Sequence, residues 1–291
     1  MGSILTLIAA PGTALDPDII ARIRHMIGGS PEDTLSPGEA VAIGTPAAPD
    51  LAAVRAALEN RPIDAVATPA ASRRKRLLIA DMDSTIVAEE TLDELAAHAG
   101  LKEQIAAITR RSMNGEIDFA TALRERVAML KGLRLEALEA TWRGIGITPG
   151  ARELVATMRA HGAATALVSG GFTFFTSRVA ERLGFEMHLA NTLLDDGVAL
   201  TGRVVEPIVD RDRKRGALVS LARAKRLDRS ETLAVGDGAN DLDMLREAGL
   251  GIAFHAKRIV TDAVPASILY ADLRALLFIQ GYRVSEFSGA G

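Results

Sequence analysis

The stretch Arg76-Leu77-Leu78-Ile79-Ala80-Asp81-Met82-Asp83-Ser84-Thr85 carries an apolar run straight into two carboxylates one residue apart and then two hydroxyls. An apolar run that ends in a sudden polar cluster is the pattern of a buried parallel strand, and ligands of open α/β sheets sit beyond the carboxyl ends of such strands. Alternation along the strand predicts that Asp81 and Asp83 share a face, with Met82 turned away. Like charges so close repel unless a cation lies between them. Mg²⁺ meets that need, because it prefers oxygen ligands and divides its shell among one or two carboxylates, water and a substrate phosphate.

Two later stretches repeat the logic. Ala164-Thr165-Ala166-Leu167-Val168-Ser169-Gly170-Gly171 reads as a second strand ending in a hydroxyl and two glycines. The helix predicted over 172–183 aims free N–H groups and its positive dipole end toward whatever Ser169 holds. Thr232-Leu233-Ala234-Val235-Gly236-Asp237-Gly238-Ala239-Asn240-Asp241 is a third strand delivering a carboxylate, with glycines on both sides for close backbone approach. Three apolar strands with charge- or hydroxyl-bearing ends are expected to converge on one sheet edge. Shorter strands over 251–254 and 268–270 complete the predicted sheet.

Between the first and second strands the pattern is helical, over 91–98, 103–110, 119–130 and 135–142, and 151–160 reads as a crossover helix returning to the sheet. The inserted helices are placed over the strand ends as a lid. Leu193 to Val205 reads as a β-hairpin with Asp195-Asp196-Gly197 at its turn. Arg211-Asp212-Arg213-Lys214-Arg215 opens a helix, and cations at a helix start require an anionic partner elsewhere. Residues 1–72 alternate short apolar runs with helical patterns, the signature of a small α/β module. The run Arg73-Arg74-Lys75-Arg76 is read as a solvated joint in preference to a nucleic-acid patch. The expected organisation is thus a module at 1–72, a core at 76–88 and 147–291, and a helical cap at 89–146.

The 291 residues carry a formal net charge of -3 and no cysteine, which argues against nucleic acid or anionic membrane as partner and removes thiolate chemistry. No apolar run is long enough to span a membrane, and a cytoplasmic enzyme is the expectation. The five histidines show no metal-ligand spacing and are read as structural.

Asp81-Met82-Asp83-Ser84-Thr85, Ser169-Gly170-Gly171, Lys214 and Gly236-Asp237-Gly238-Ala239-Asn240-Asp241, in that order, resemble the four motifs of the haloacid dehalogenase superfamily over about residues 76–275. The resemblance implies an α/β fold: a Rossmann-like parallel core with a helical cap after its first strand. Glu90, Met113-x-Gly115-x-x-x-Phe119 and Arg124-Glu125-Arg126-Val127 narrow it to the members that act on O-phosphoserine.

What the resemblance implies is specific. Asp81 attacks phosphorus and forms an aspartyl-phosphate; Asp83 protonates the leaving oxygen and later takes a proton from water. Mg²⁺ is held by Asp81, the Asp83 carbonyl and Asp237, with Asp241 outside them. Ser169, Gly170 and Lys214 hold the phosphoryl oxygens, with Asn240 beside them. Glu90 pairs with the substrate ammonium and Arg126 with its carboxylate, while Met113 and Phe119 exclude water. The product is serine, formed at the end of its biosynthesis. The motifs do not separate water from an alcohol such as homoserine as acceptor. A non-catalytic amino-acid sensor is the reading from another class, disfavoured because every reacting group is present. Members of this length often carry ACT-type βαββαβ regulatory modules. Residues 1–72 are loosely compatible with one, and the Gly28–Pro37 region leaves its register open. Serine binding, a homodimer contact and simple support of the catalytic domain all stay open for this module.

Overall fold

The computed structural model describes residues 2–113 and 116–289, Met113 by its backbone alone. The amino-terminal module runs β1 (Ser3–Ala9), α1 (Pro17–Met26), β2 (Asp33–Ser36), β3 (Ala40–Thr45), α2 (Leu51–Ala57) and β4 (Ile63–Pro69). Its antiparallel sheet has the order β2-β3-β1-β4, a βαββαβ split arrangement. Local chemistry starts both helices: Asp16 accepts from the Asp18 N–H ahead of Pro17, and Asp50 accepts from Ala52 and Ala53. β2 lies inside the Gly28–Pro37 region whose register was open. Four residues, two exposed followed by two buried, carry no alternation to reveal a strand, and only pairing with β3 makes one.

The core sheet is parallel, in the order β12-β11-β10-β5-β6-β7. Its strands are β5 (Leu77–Ala80), β6 (Ala164–Phe172), β7 (Met187–Asn191), β10 (Thr232–Gly236), β11 (Leu250–Phe254) and β12 (Ala266–Ile268). Between β7 and β10 lies the antiparallel pair β8 (Leu193–Asp195) and β9 (Leu200–Val204). β5 is buried along its whole length, as helices on both faces require. The core helices are α7 (Ala151–Ala160), α8 (Thr173–Leu183), α9 (Arg211–Ala224), α10 (Leu242–Glu247), α11 (Arg258–Thr261) and α12 (Ala275–Ile279). The three motif-bearing strands β10, β5 and β6 are immediate neighbours, so their carboxyl ends open onto one crevice at the point where strand order reverses.

After β5 the chain enters α3 (Thr91–Ala97), α4 (Lys102–Met113), α5 (Phe119–Met129) and α6 (Glu136–Gly144). This insertion springs from an antiparallel bridge between Val87 and Ile147. It is also stitched to the β8–β9 hairpin: the Gly132 N–H donates to Leu200 O and the Leu200 N–H to Leu133 O, both at 2.8 Å, and the Leu135 N–H donates to Val198 O at 3.0 Å. None of the described helices is long and apolar enough to cross a membrane.

Two expectations are corrected. Within the basic run 73–76, Arg73 and Lys75 form a docking seam, while Arg74 and Arg76 stay exposed as a solvated joint would have them. Arg73 donates to the carbonyls of Ile279 (2.9 Å) and Phe278 (3.2 Å), at the end of α12 where orphan carbonyls favour a cation, and to Thr6 Oγ1 of β1 (3.1 Å). Lys75 is buried, its Nζ donating to the Ser72 and Ser230 carbonyls at 2.6 Å each. The last strand ends at Ile268 instead of spanning 268–270, because the N–H groups of Leu269, Tyr270 and Ala271 turn to the carboxylate of Asp64 on β4. Apolar residues of the module, Ile8, Leu35, Ala40, Ala42 and Val66, join the same core cluster as α12, so the module and the parallel-sheet domain share one interior.

Candidate active site

A cavity of about 350 Å³ lies between the carboxyl ends of β5, β6 and β10 and the cap helices α4 and α5. Asp81, the first residue past β5, is buried. Its Oδ1 accepts from the Met82 N–H at 2.7 Å and is 2.8 Å from Lys214 Nζ. Lys214 reaches this point from the first turn of α9, whose start is capped by Asp210. The anionic partner that its position demanded is a pair: Lys214 Nζ lies 2.8 Å from Asp241 Oδ1 as well. Of its basic neighbours, Arg211 pairs with Asp243 while also lining the cavity, and Arg215 turns to Glu247. Burial works against the Lys214 charge, yet Asp241 and Asp81 more than offset it, and its pKa moves upward.

Asp83 faces the cavity for a reason other than the predicted one. The strand stops at Ala80, and residues 82–86 form a tight turn in which Ser84 takes φ +54°. That turn, not pleat alternation, carries Asp83 to the cavity, where Oδ1 accepts from the Thr91 N–H (3.0 Å) and Oδ2 from Ser169 Oγ (3.2 Å). Desolvation, followed by the charges of Glu90 and Asp81, raises its pKa above the ordinary carboxylate range. A carboxyl so placed holds a proton near neutrality, which suits a proton donor.

Asp81, Asp237 and Asp241 bring one oxygen each to within 4.8 Å of one another. Thr85 Oγ1 donates to Asp237 Oδ1 at 3.3 Å. Asp241 thus sits closer in than its expected outer place, but both its oxygens are engaged, Oδ1 by Lys214 and Oδ2 by the Gly238 N–H at 3.1 Å. Burial, then Asp81 and Asp241, pushes Asp237 up to about 8, and burial and Asp81 raise Asp241 too. With Asp83, Glu90 and Asp118, six carboxylates face three cations, Lys214, Arg126 and Arg211, in and around one cavity. An all-oxygen donor set with excess negative charge fits a hard divalent cation.

The opposite wall belongs to the cap. Arg126 on α5 lines the cavity with its Nη1 donating to Thr109 Oγ1 (3.2 Å) and its Nε to the Ala122 carbonyl (3.1 Å). Glu90, at the rim, accepts from Ser84 Oγ at 2.7 Å. Phe119 lies directly over the glycine loop: a Cβ built on Gly170 would come within 2.9 Å of its ring. Asn240 lines the same cavity beside Gly170. The structure therefore gathers Asp81, Asp83, Glu90, Phe119, Arg126, Ser169, Gly170, Asp237 and Asn240 around one space, with Lys214 and Asp241 just behind it. The predicted contact from Met113 lies outside the described residues. Sequence reasoning missed Thr109, which steadies Arg126, and the backbone N–H of Thr91. A threonine on a helix face carries no signal, and a backbone donor none at all.

Fold and site together define a haloacid dehalogenase-like hydrolase: a family model of that description matches residues 78–246, and the chain belongs to this family. Within it, the chain is 42% identical over 225 residues to the phosphoserine phosphatase of Archaeoglobus fulgidus, covering 77% of this chain and 65% of that protein. The chain thus spans just under two thirds of that relative's length. Among solved structures, a HAD family hydrolase from Salmonella enterica serovar Typhi superposes with a TM-score of 0.85 at 31% identity, over 96% of this chain and 98% of that one. A phosphoserine phosphatase solved as a phospho-aspartyl intermediate analogue superposes at 0.66 with 39% identity, over 70% of this chain and 98% of that one.

Proposed function

We propose that the protein is a Mg²⁺-dependent phosphatase that converts O-phosphoserine and water to serine and phosphate, the closing reaction of serine biosynthesis. One observation carries the reading: a single cavity has a carboxylate, a glycine loop and a buried lysine at one end, and a Glu90–Arg126 pair at the other. The first set matches a phosphate and the second an amino acid's ammonium and carboxylate.

Asp81 attacks phosphorus, so that hydrolysis becomes two displacements through an aspartyl-phosphate. Lys214, Ser169 Oγ and the Gly170 N–H hold the phosphoryl oxygens, with Asn240 beside them, where charge builds in the transition state. Asp83, protonated by its surroundings, gives its proton to the seryl oxygen as that oxygen leaves, then takes one from the water that attacks the acyl phosphate. Asp81 and Asp237 are the residues to hold Mg²⁺, with Asp241 in support; when bound, the ion supplies charge neutralisation between the nucleophile and a phosphate dianion. Arg126 binds the substrate carboxylate and Glu90 its ammonium, and Phe119 keeps water from the glycine loop. The reading includes a cytoplasmic setting, in keeping with a cysteine-free chain. A homodimer through the amino-terminal module is its remaining part, to be read by light scattering.

The test is phosphate release from O-phospho-L-serine and a panel of phosphomonoesters, with Mg²⁺ and with EDTA. Turnover is expected to require the metal, to favour phosphoserine and to vanish in Asp81→Asn. Undiminished turnover in Asp81→Asn would remove the proposed nucleophile.

A further inference from the structure

The ladder between β6 and β7 is regular through Val168↔Leu189 and resumes at Phe172↔Asn191, skipping Ser169, Gly170 and Gly171. That break frees the glycine loop to face the cavity, and it also leaves the loop's carbonyls without strand partners. The side chain of Asn191, 2% exposed, fills the gap. Its Nδ2 donates to the Gly170 carbonyl at 2.8 Å and, more weakly, to the Val209 carbonyl at 3.4 Å, while its Oδ1 accepts from the Val209 N–H at 2.7 Å.

Those bonds land on two functional segments. The Gly170 carbonyl and the Gly171 N–H belong to one peptide group, and the Gly171 N–H donates to Ser169 Oγ at 2.8 Å. Ser169 Oγ in turn donates to Asp83 Oδ2 at 3.2 Å. Holding the 170–171 peptide at its carbonyl therefore fixes the direction from which its N–H meets the serine oxygen. With that lone pair taken, the hydroxyl proton is aimed at Asp83 Oδ2 on the cavity wall. Space enforces the same geometry: a Cβ on Gly171 would come within 2.6 Å of Asp83 Oδ2. On its other side, Val209 precedes Asp210, the cap of the helix that presents Lys214.

We infer that Asn191 is a positioning residue for the phosphoryl-holding set: it orients the 170–171 peptide, and through it the Ser169 hydroxyl, and keys that loop to the entrance of the Lys214 helix. The inference rests on the proposed phosphatase reading only in assigning Ser169 and Lys214 to the phosphoryl group. It predicts that damage at Asn191 is felt at the phosphate end of the cavity and not at the Arg126 end.

Asn191→Asp keeps an acceptor for the Val209 N–H but loses the donor to Gly170, and Asn191→Ser loses both arms without adding charge. With Mg²⁺ present and well below the melting temperature, affinity for inorganic phosphate and for L-serine is read by calorimetry, beside kcat and KM on phosphoserine. Both variants are expected to lose about 10- to 100-fold in kcat, with phosphate binding weakened about tenfold and L-serine binding held within about twofold. A purely structural role lowers the folded fraction, and kcat with it, while leaving both affinities unchanged. Phosphate affinity within about twofold of wild type in both variants, or phosphate and serine weakened alike, overturns the inference. Because phosphate affinity is measured without turnover, an enzyme that ignores phosphoserine would refute the substrate reading and still test Asn191.

Discussion

Removing the Lys214 charge should destabilise the protein in a way that a second charge removal repairs. Lys214 Nζ lies 2.8 Å from Oδ1 of both Asp81 and Asp241, and all three side chains are buried. At that distance and an effective dielectric of about 20, each pair attracts by about 6 kcal/mol, most of it offset by the desolvation of the ions. Lys214→Met fills a similar volume but leaves two buried carboxylates facing each other, and breaking such a group costs about 3–5 kcal/mol. Urea unfolding in EDTA should show this loss as a lower midpoint at unchanged slope. Asp241→Asn should then act with opposite signs in two backgrounds. In wild type it removes a partner of Lys214 and destabilises; in Lys214→Met it removes half of a like-charge pair and restores about 1–2 kcal/mol, a coupling of the size adjacent groups show. Neither lysine variant should retain more than about one part in a hundred of the phosphatase rate, because a phosphoryl-oxygen donor is gone. Equal destabilisation by Asp241→Asn in both backgrounds would refute the triad.

Three further outcomes follow from the geometry. Without metal, Asp237 (about 8) and Asp83 keep protons that the unfolded chain, with carboxylates near 3.8, has released. The folded state then binds more protons, so stability declines as pH rises from about 4 to past about 8; melting curves in EDTA should show that slope, and Mg²⁺ should flatten it. Arg126→Ala should raise KM for phosphoserine far more than for a phosphate ester without a carboxylate, since a two-pronged contact matters only where its partner exists; equal losses on both esters would remove Arg126 from recognition. Arg73→Ala breaks three hydrogen bonds between the linker, β1 and the end of α12 and should lower stability by about 2–3 kcal/mol while kcat stays unchanged, as paired urea and phosphate-release assays would show.

Much of the site was legible because its residues sit at the ends of apolar runs. Asp81 and Asp237 each follow a buried strand, Ser169 lies near the end of another, and β5, β6 and β10 prove to be neighbours. The boundaries of α7 and the turn of the β8–β9 hairpin were readable for the same local reason, periodicity and turn chemistry. What escaped depends on partners distant in the chain. Arg73 and Lys75 look like any exposed basic run until the carbonyls of 278, 279 and 230 are brought to them. Asp64 ends a strand more than 200 residues away by accepting its N–H groups. Asp83 was placed in the right cavity for the wrong reason, since a positive φ at Ser84 leaves no mark in apolar spacing. Asn191 belongs to no recognisable pattern, because its role arises from a ladder break on the neighbouring strand.

The backbone stitching of the β8–β9 hairpin to the cap makes the upper jaw of the enzyme broader than the inserted helices alone. Parting the jaws requires bending at two pairs of chain crossings, near 87 with 147 and near 192 with 205, which favours swinging about a line over sliding. Asp81 from the core and Arg126 from the cap line the one cavity, so on the proposed reading a substrate's phosphate and carboxylate have to span the gap between core and cap.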